Sequence, residues 1–550
     1  MRFGSVDLFM DFGDWQFRMG RPIANEGFLK SLLTYGRFDT YQFFCPDVHH
    51  MERFRDRIEE LIPDPVLQGR VETTLQIALA ETIREQEFQV FHLGDFTYFM
   101  PYLIGIRDRV ARAPFPITGV THSIDGIFMN SRYLELLLAG LAPFDGIICS
   151  SLSALWSVEK GLAWVQNQLK EKTGANINAW VSLKHIPLGI EESLFQEEEK
   201  QGARAFFHIP ADAVVVLSVG RLSLRQKTDW SPTLELLSRM AAQGEMENVI
   251  LLMAGGGLAS DISILESMIN RLGLQKKVHL FPNFKPEVKT KLYQTADFYL
   301  SIVDNFQETF GLSVLEAMAS GLPVVISDFS GYREFVTQGQ EGFLIPTTWA
   351  GELPEFLWEN MGILDPSVTR LYLSQTVAVD LEKLRTAIIQ LSQDKELRAR
   401  MGQKARTKGF TYRWSNIIPA YEAFWANLKK EAQRRPLIRQ RIPDILVGDP
   451  GGTFSHFPSR RLAGEHIVSL TEMGQQVLAS SAHLTRYEDV QACLFPDLEV
   501  LLLSSLSSQP RSVESLRQMA GEALEATRGQ VDFHILWLLK HGALKIEIQK

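Results

Sequence analysis

Cysteine is scarce in this sequence: only three occur in 550 residues, Cys45, Cys149 and Cys493, and they lie far apart. They form no C-x-x-C pair and show no spacing typical of metal ligands, which argues against a disulfide framework or a cysteine zinc site. A signal-peptide pattern is missing at Met1, and no apolar run reaches the roughly 20 residues that span a bilayer. These absences predict a cytoplasmic protein without a transmembrane segment.

An excess of positive charge is also missing, because the formal net charge is −9 at pH 7. Nucleic acids and anionic membranes are bound through basic surfaces, so this balance argues against a general binder of either. The composition, with 45% hydrophobic and 22% charged residues, is that of a globular protein. A chain of this length predicts about two or three domains.

The most informative stretch runs from Ser301 to Arg333. Apolar runs typical of buried strands, at 298–303 and 322–327, enclose a loop that ends at Gly311 and a helix that follows it. This order predicts one unit of a parallel sheet. The start of such a helix offers unpaired N–H groups and a positive dipole end that suit a diphosphate. Gly311 removes the side chain where the backbone must approach such a ligand.

Two carboxylates flank this turn, Glu308 before it and Glu316 inside the helix. Carboxylates only accept hydrogen bonds, so they can bind the hydroxyl groups of a sugar and a ribose. A second interpretation fits the same spacing. Ser313 and Glu316 have the pattern of a helix capping box, and Glu308 could be an ordinary solvated acid of a loop. Spacing alone does not decide between these interpretations.

The segment 308–325 reads ETFGLSVLEAMASGLPVV. It resembles, nearly residue for residue, the E-x7-E signature of family 4 retaining glycosyltransferases of the GT-B fold. The resemblance covers roughly residues 90–430 and is most specific between 218 and 346. It implies an α/β protein in which two Rossmann-like domains face each other across a cleft.

The resemblance also implies roles for the signature. Glu308 would hold sugar hydroxyls and stabilise positive charge on the ring, and Glu316 would hold ribose hydroxyls. The residues of the turn and the helix start would complete the nucleotide-sugar site; they are Thr309, Phe310, Gly311, Leu312 and Ser313.

Two cations follow another buried-strand pattern, at 212–220. Arg221 comes directly after Gly220, and Lys227 lies six residues further on. Cations at the carboxyl end of a strand can neutralise a diphosphate, although two surface cations in a loop are the commoner case. The family has G-R-L followed by lysine at this spacing. The resemblance therefore implies that both residues stabilise the leaving nucleotide diphosphate.

His122 follows the apolar run 116–121, at the end of a strand where doubly wound sheets bind ligands. A lone histidine is more often a satisfied core residue, and we interpret His92 in that way. The family has a histidine near the transferred sugar at the position of His122, which we therefore group with Glu308 as catalytic. The family's glycine-rich loop lacks its double glycine here, and Gly20 is the nearest candidate, with an ordinary turn as an equal reading.

The predicted organisation has two Rossmann-like domains and a C-terminal addition. Residues 50–85 in the first domain are predicted to be helical. The first is an acceptor-side domain at 1–190, completed by a crossing helix at 410–430. The second is a nucleotide-sugar-binding domain at 191–409 with an insertion near 347–377. A basic linker at 430–445 leads to an accessory domain at 446–550.

The accessory domain is predicted to be small and mostly helical, ending in a winged-helix-like helix, turn and strand. It carries more acidic than basic residues, which argues against DNA binding and favours docking to a protein partner or oligomerisation. The basic residues around 429–441 fit a solvated helix end and linker, with peripheral membrane contact as the alternative.

The function implied by the resemblance is transfer of a sugar from a nucleotide-diphosphate sugar to an acceptor hydroxyl, with retention at the anomeric carbon. The acceptor class stays open among polysaccharide, glycolipid, small molecule and polypeptide. A D-x-D motif is absent, so we expect no catalytic metal, and no cofactor besides the donor substrate. The second hypothesis is a non-catalytic nucleotide-sugar sensor; a GT-B epimerase, a phosphorylase and a scaffold are disfavoured.

Overall fold

The computed structural model describes residues 1–12, 20–126, 128–178, 180–191, 200–436 and 445–547. The chain divides into two compact units. The larger unit consists of 1–44, 56–73 and 80–440, and the smaller one consists of 45–55, 74–79 and 441–550.

The larger unit begins with a seven-stranded sheet. Its strands are β1 (Arg2–Ser5), β2 (Thr40–Cys45), β3 (Val71–Leu75), β4 (Val90–Leu93), β5 (Ile117–Val120), β6 (Gly146–Cys149) and β7 (Ser182–His185). Their order across the sheet is β3-β2-β1-β4-β5-β6-β7, and the pairs from β2 to β7 are parallel. The order reverses between β1 and β4, and such a reversal opens the crevice where doubly wound sheets bind ligands.

The helices of this first domain are α1 (Gly20–Tyr35), α2 (Val48–Leu61), α3 (Pro65–Gln68), α4 (Leu79–Glu85), α5 (Met100–Val110), α6 (Met129–Leu138) and α7 (Leu152–Thr173). The prediction that residues 50–85 are helical was wrong for 71–75, which form the edge strand β3. This strand is short, yet Val71, Thr73 and Thr74 are β-branched, and such residues favour extended backbone over helix.

A second sheet of six strands follows. Its strands are β8 (Val214–Val219), β9 (Val249–Gly255), β10 (Val278–Pro282), β11 (Phe298–Ser301), β12 (Val324–Ser327) and β13 (Gly342–Ile345). All pairs are parallel in the order β10-β9-β8-β11-β12-β13, which reverses between β8 and β11. These strands read as continuous apolar runs because helices cover both faces of a parallel sheet.

The helices of the second domain are α8 (Lys200–Phe206), α9 (Trp230–Ala242), α10 (Ala259–Arg271), α11 (Lys289–Thr295), α12 (Leu312–Ala319), and, after the insertion, α15 (Leu381–Gln393) and α16 (Lys395–Gly409). They bury one hydrophobic core against the sheet, in which Leu234, Leu265 and Leu384 are fully enclosed. The GT-B architecture of parallel sheets covered by helices is therefore confirmed.

The insertion between β13 and α15 has its own structure. Strand β14 (Thr347–Trp349) pairs antiparallel with β15 (Val377–Val379), and α13 (Glu355–Asn360) and α14 (Pro366–Ser374) lie between them. The two ends of the insertion thus meet, so the chain leaves and rejoins the domain at one place. A long insertion closed in this way costs little more chain entropy than a short loop.

The helix α17 (Trp414–Gln433) packs against the first sheet. The Trp425 indole N–H donates to Thr118 Oγ1 at 3.1 Å, and its ring lies 5.8 Å from that of Phe3. Lys429 Nζ donates to the Phe88 carbonyl at 2.9 Å. The C-terminal helix of the larger unit therefore contributes to the core of the first domain, where the crossing helix was predicted.

The smaller unit is mostly helical and has its own core, which includes Leu502, Leu516 and Ile535. Its helices and strands along 445–547 are α18 (Pro450–Thr453), β16 (Ile467–Leu470), α19 (Glu472–Leu478), α20 (Glu488–Gln491), α21 (Pro496–Ser505), β17 (Arg511–Ser512), α22 (Val513–Leu524), α23 (Arg528–Lys540) and β18 (Leu544–Ile546). The predicted final helix, turn and strand are α23, the residues after it and β18. The strands β17 and β18 both pair antiparallel with β16.

Two further observations concern the predicted linker and membrane-spanning helices. Residues 437–444, which are half of the predicted basic linker, lie outside the described residues. Within the described part of the chain, no helix is both long enough and apolar enough to cross a membrane.

His92 on β4 gives a testable pH dependence. Its ring is fully buried beside Phe9, and Nδ1 lies 2.8 Å from Thr118 Oγ1. Burial lowers the pKa of His92 to about 3. An unfolded histidine titrates near 6.5, so between these values the unfolded chain binds the extra proton, and stability falls as the pH falls.

We expect this residue to remove about 2 kcal/mol of the free energy of unfolding between pH 7 and pH 5. Denaturant unfolding of the protein and of His92→Gln at both pH values measures the loss. The variant should lose less stability than the wild type over this interval. Equal losses in the two proteins would contradict the assignment of His92 as a buried neutral histidine.

Candidate active site

The strands β8 and β11 flank the reversal in the second sheet, and the loops that follow them carry the charged site residues Arg221, Lys227 and Glu308. Lys227 Nζ donates to Glu308 Oε2, and Arg221 Nη1 donates to Gln226 Oε1. Glu308 and Lys227 are thus brought together across 81 positions of sequence. The geometry follows from topology, because the carboxyl ends of parallel strands lie at one edge of the sheet.

Glu308 is not a solvated loop acid. Its side chain is 13% exposed, and Oε1 accepts a hydrogen bond from the Phe310 N–H at 3.3 Å. The ion pair with Lys227 compensates the burial of its charge. The sequence left open whether Glu308 binds hydroxyl groups or is an ordinary solvated acid of a loop. The second interpretation is therefore wrong.

The capping-box interpretation is also wrong. Helix α12 begins at Leu312 with Gly311 as its N-cap, and no side-chain hydrogen bond caps it. Glu316 points elsewhere: Oε1 accepts from Lys289 Nζ, and Oε2 accepts from the Tyr293 hydroxyl at 2.7 Å. Burial, followed by the charge of Glu316, raises the pKa of Tyr293 well above its usual value. Glu316 is thus a buried carboxylate held by two donors, and each of its oxygens can accept a further hydrogen bond.

Gly311 takes a backbone conformation that side chains disfavour, with φ of +107°. A Cβ at this position would lie 2.2 Å from Tyr332 Cε1. The neighbouring Phe310 packs edge-on against Phe335, with ring centroids 5.1 Å apart. Ser313 Oγ, in the first turn of α12, lies 2.9 Å from the Tyr299 hydroxyl. The turn before α12 is therefore held in one conformation by aromatic packing.

The first domain reaches this turn through two hydrogen bonds to Thr309. The Thr309 hydroxyl donates to the carbonyl of His122 at 2.8 Å, and the Ser151 hydroxyl donates to the Thr309 carbonyl at 2.7 Å. His122 and the E-x7-E signature, which are 187 residues apart in sequence, therefore meet.

The imidazole of His122 is held by its own domain. Nε2 lies 2.7 Å from the Gly94 carbonyl and 3.0 Å from Asn25 Oδ1, both acceptors, so this nitrogen carries the proton. Burial is the largest influence on the pKa of His122 and lowers it, with Asp95 opposing and Arg21 assisting. A neutral imidazole with Nε2 engaged has Nδ1 as its acceptor.

Two acidic residues near His122 were not found by sequence reasoning. Asp7 follows β1 and Asp95 follows β4, the two strands at the reversal of the first sheet. Burial, and secondarily Asp95, raises the pKa of Asp7, and Arg21 Nη1 donates to Asp95 Oδ2 at 3.1 Å. An acidic residue soon after a strand pattern is a signal that could have identified both residues. The strand order that brings them together cannot be predicted from local patterns.

Gly20 is the first residue of α1, and its Cβ position is open space. No backbone strain or close packing therefore requires glycine here. Its neighbour Arg21 is the residue that reaches Asp95, and the candidate loop before it, at 13–19, lies outside the described residues.

Asp304 is a further acid that sequence reasoning missed. It lies in the loop that carries Glu308, and its Oδ1 accepts from the Asp229 N–H at 3.2 Å. Burial raises the pKa of Asp304 to about 7. A carboxyl group with a perturbed pKa in a ligand crevice is a candidate for a functional residue.

Comparison with known proteins agrees with this fold. The fold resembles that of HepE from Anabaena in complex with UDP and glucose, with a TM-score of 0.52 and 16% identity over 78% of this chain and 100% of that one. Sucrose-phosphate synthase from Thermosynechococcus elongatus gives a TM-score of 0.50 and 17% identity, over 78% and 99% of the two chains. The chain is a protein of the GT-B glycosyltransferase fold. Its residues 199–355 match the model of the family glycosyl transferases group 1.

Sequence relatives match part of the chain. The D-inositol 3-phosphate glycosyltransferase of Thermobispora bispora is 30% identical over 217 residues, which is 36% of this chain and 50% of that protein. The enzyme of the same name from Mycolicibacterium smegmatis is 30% identical over 176 residues, or 31% and 38%. The chain thus spans half or less of the length of these curated relatives.

The strain at Gly311 predicts a selective loss of stability. In Gly311→Ala the new methyl group would collide with Tyr332 in a backbone conformation that disfavours it, so we expect a loss of about 3 kcal/mol. Gly174, at the end of α7, is the matched control, because its φ is +73° and no atom lies within 4 Å of its Cβ position. Gly174→Ala should cost only about 1 kcal/mol, from the backbone alone. Denaturant unfolding measures both, and equal losses would contradict this account of the turn.

Proposed function

We propose that this protein is a retaining glycosyltransferase that moves a sugar from a nucleotide-diphosphate donor to an acceptor hydroxyl. The observation that carries the proposal is the arrangement at the reversal of the second sheet. There, two cations, Arg221 and Lys227, and the buried carboxylates Glu308 and Glu316 lie around the start of α12. This arrangement has the complementary charges that a nucleotide sugar needs at its diphosphate and at its two sets of hydroxyls.

In the proposed complex the diphosphate binds near the first N–H groups of α12. Lys227 has a flexible side chain and can exchange its hydrogen bond to Glu308 for one to a phosphate oxygen. The planar guanidinium of Arg221 can donate to two phosphate oxygens. Glu316 accepts hydrogen bonds from ribose hydroxyls with the oxygen lone pairs that Lys289 and Tyr293 leave. Glu308, freed from Lys227, accepts bonds from the sugar hydroxyls.

In the proposed reaction the bond between the anomeric carbon and the diphosphate oxygen breaks, and positive charge develops on the ring. The acceptor hydroxyl attacks from the same face, and its proton passes to the leaving phosphate. Glu308 stabilises the ring charge, while Arg221, Lys227 and the α12 dipole stabilise the departing diphosphate. His122 contacts the sugar from the first domain. The proposal needs no metal ion.

Two relationships support the donor class. The similar HepE structure is a complex with UDP and glucose, and the family match at 199–355 covers Arg221, Lys227 and both glutamates. The acceptor is a hydroxyl compound of a class left open.

The first test is nucleotide release from UDP-, GDP- and ADP-sugars, with and without candidate acceptors, in the presence and absence of EDTA. We expect release from one donor that EDTA does not change. Glu308→Gln should lower this rate at least about 100-fold, because it removes a charge that acts in the transition state, with nucleotide affinity nearly unchanged. The anomeric configuration of the product, read by NMR, tests retention.

Glu266→Gln, at an exposed position on α10, is the control and should behave as the wild type. Tight nucleotide binding without release from any donor, with every acceptor class, would contradict the transferase and favour a sensor. Loss of release in EDTA would contradict the metal-independent mechanism.

A further inference from the structure

Helix α14, in the insertion, forms a two-pronged ion pair with the first domain. Arg370 Nε donates to Asp125 Oδ2 at 2.6 Å, and Nη2 donates to Oδ1 at 3.3 Å. The Asp125 side chain is 1% exposed and lies three residues after His122. Two parallel bonds between a guanidinium and a carboxylate fix orientation as well as distance. A residue of the insertion is thus joined to the loop that carries His122.

The other end of α14 is tied to the cation loop of the second domain. Gln375, the C-cap of α14, donates to Asp229 Oδ2 at 2.9 Å. Asp229 lies two residues after Lys227, caps α9 through the Ser231 N–H at 2.9 Å, and donates its own N–H to Asp304. One short helix therefore bonds to both halves of the candidate site.

The loop from His122 to Asp125 is held at each end by the second domain. The His122 carbonyl accepts from Thr309, next to Glu308, and the Asp125 carboxylate accepts from Arg370. Removal of the Arg370 guanidinium would leave a buried carboxylate without its cation, which strongly favours rearrangement of the loop. The position of the His122 loop relative to Glu308 therefore depends on a residue of the insertion.

We propose that Arg370 is a positioning residue of the glycosyl transfer, which aligns the His122 loop with the donor site through Asp125. This inference rests on the proposed function. Residue 370 lies outside the range 199–355 that matches the family model. Arg370 also lies near enough to Arg221 that, after burial, it lowers the pKa of Arg221.

The test compares Arg370→Gln, Arg370→Lys, Asp125→Asn and the double variant Arg370→Gln with Asp125→Asn. Three quantities are measured: the transfer rate, the affinity for the product nucleotide, and the amide hydrogen exchange of residues 121–126. Arg385→Gln is the matched control, because Arg385 forms a similar pair with Glu245 inside the second domain.

We expect Arg370→Gln to lower kcat by on the order of 10- to 100-fold, the effect of a misplaced group, while nucleotide affinity changes less than about threefold. Amide exchange at 121–126 should rise. Arg370→Lys should retain most of the rate, because it keeps the charge on Asp125. The double variant should lose no more than the single ones, since both remove the same interaction. Arg385→Gln should leave all three quantities unchanged.

Two results would overturn the inference. A loss of nucleotide affinity as large as the loss of kcat would make Arg370 a direct donor ligand, and unchanged kcat and exchange would make the pair incidental. If the wild type turns over no donor, the proposed function fails instead. The exchange of 121–126 in Arg370→Gln then decides by itself whether Arg370 positions this loop.

Discussion

The reversal of strand order in each parallel sheet is the constraint on which the candidate site depends. Parallel strands end at one edge, and connections that leave in opposite directions on either side of the reversal open a crevice there. In the second sheet the reversal brings Lys227 to Glu308, and in the first it brings Asp7 and Asp95 near His122. The topology of the two sheets therefore places the charged and titratable residues of the candidate site at these edges.

The charges at these edges are kept in place by pairing. Glu308 has Lys227, Glu316 has Lys289 and Tyr293, and Asp125 has Arg370, and each of these carboxylates is largely buried. A buried charge without a partner is costly, so each pair strongly favours one arrangement of its loop. Groups oriented in this way need little reorganisation when charge develops in a reaction. The same interactions thus serve stability and the proposed function.

The segment predicted as an insertion, near 347–377, forms hydrogen bonds with loops of both domains. Its ends meet in the β14–β15 pair, and the six strands of the second sheet all come before it in the sequence. Helix α14 bonds to the loops of both domains through Arg370 and its C-cap Gln375. No role could be predicted for residues 347–377 from the sequence. Composition and periodicity do not show which residue a single arginine such as Arg370 will contact in the folded protein.

The sequence by itself determined the α/β class, most strands of the two sheets and the E-x7-E segment, because buried parallel strands are continuous apolar runs and the signature is contiguous. It was wrong where the signal was weak, as at the short edge strand β3. Only the tertiary structure decided that the N-cap of α12 is Gly311 and not Ser313. The spacing of Ser313 and Glu316 in the sequence fits a capping box as well as a binding site. The tertiary structure alone joined Asp125 to Arg370 across 245 positions. Such contacts depend on strand order and the path of an insertion, which local patterns do not encode.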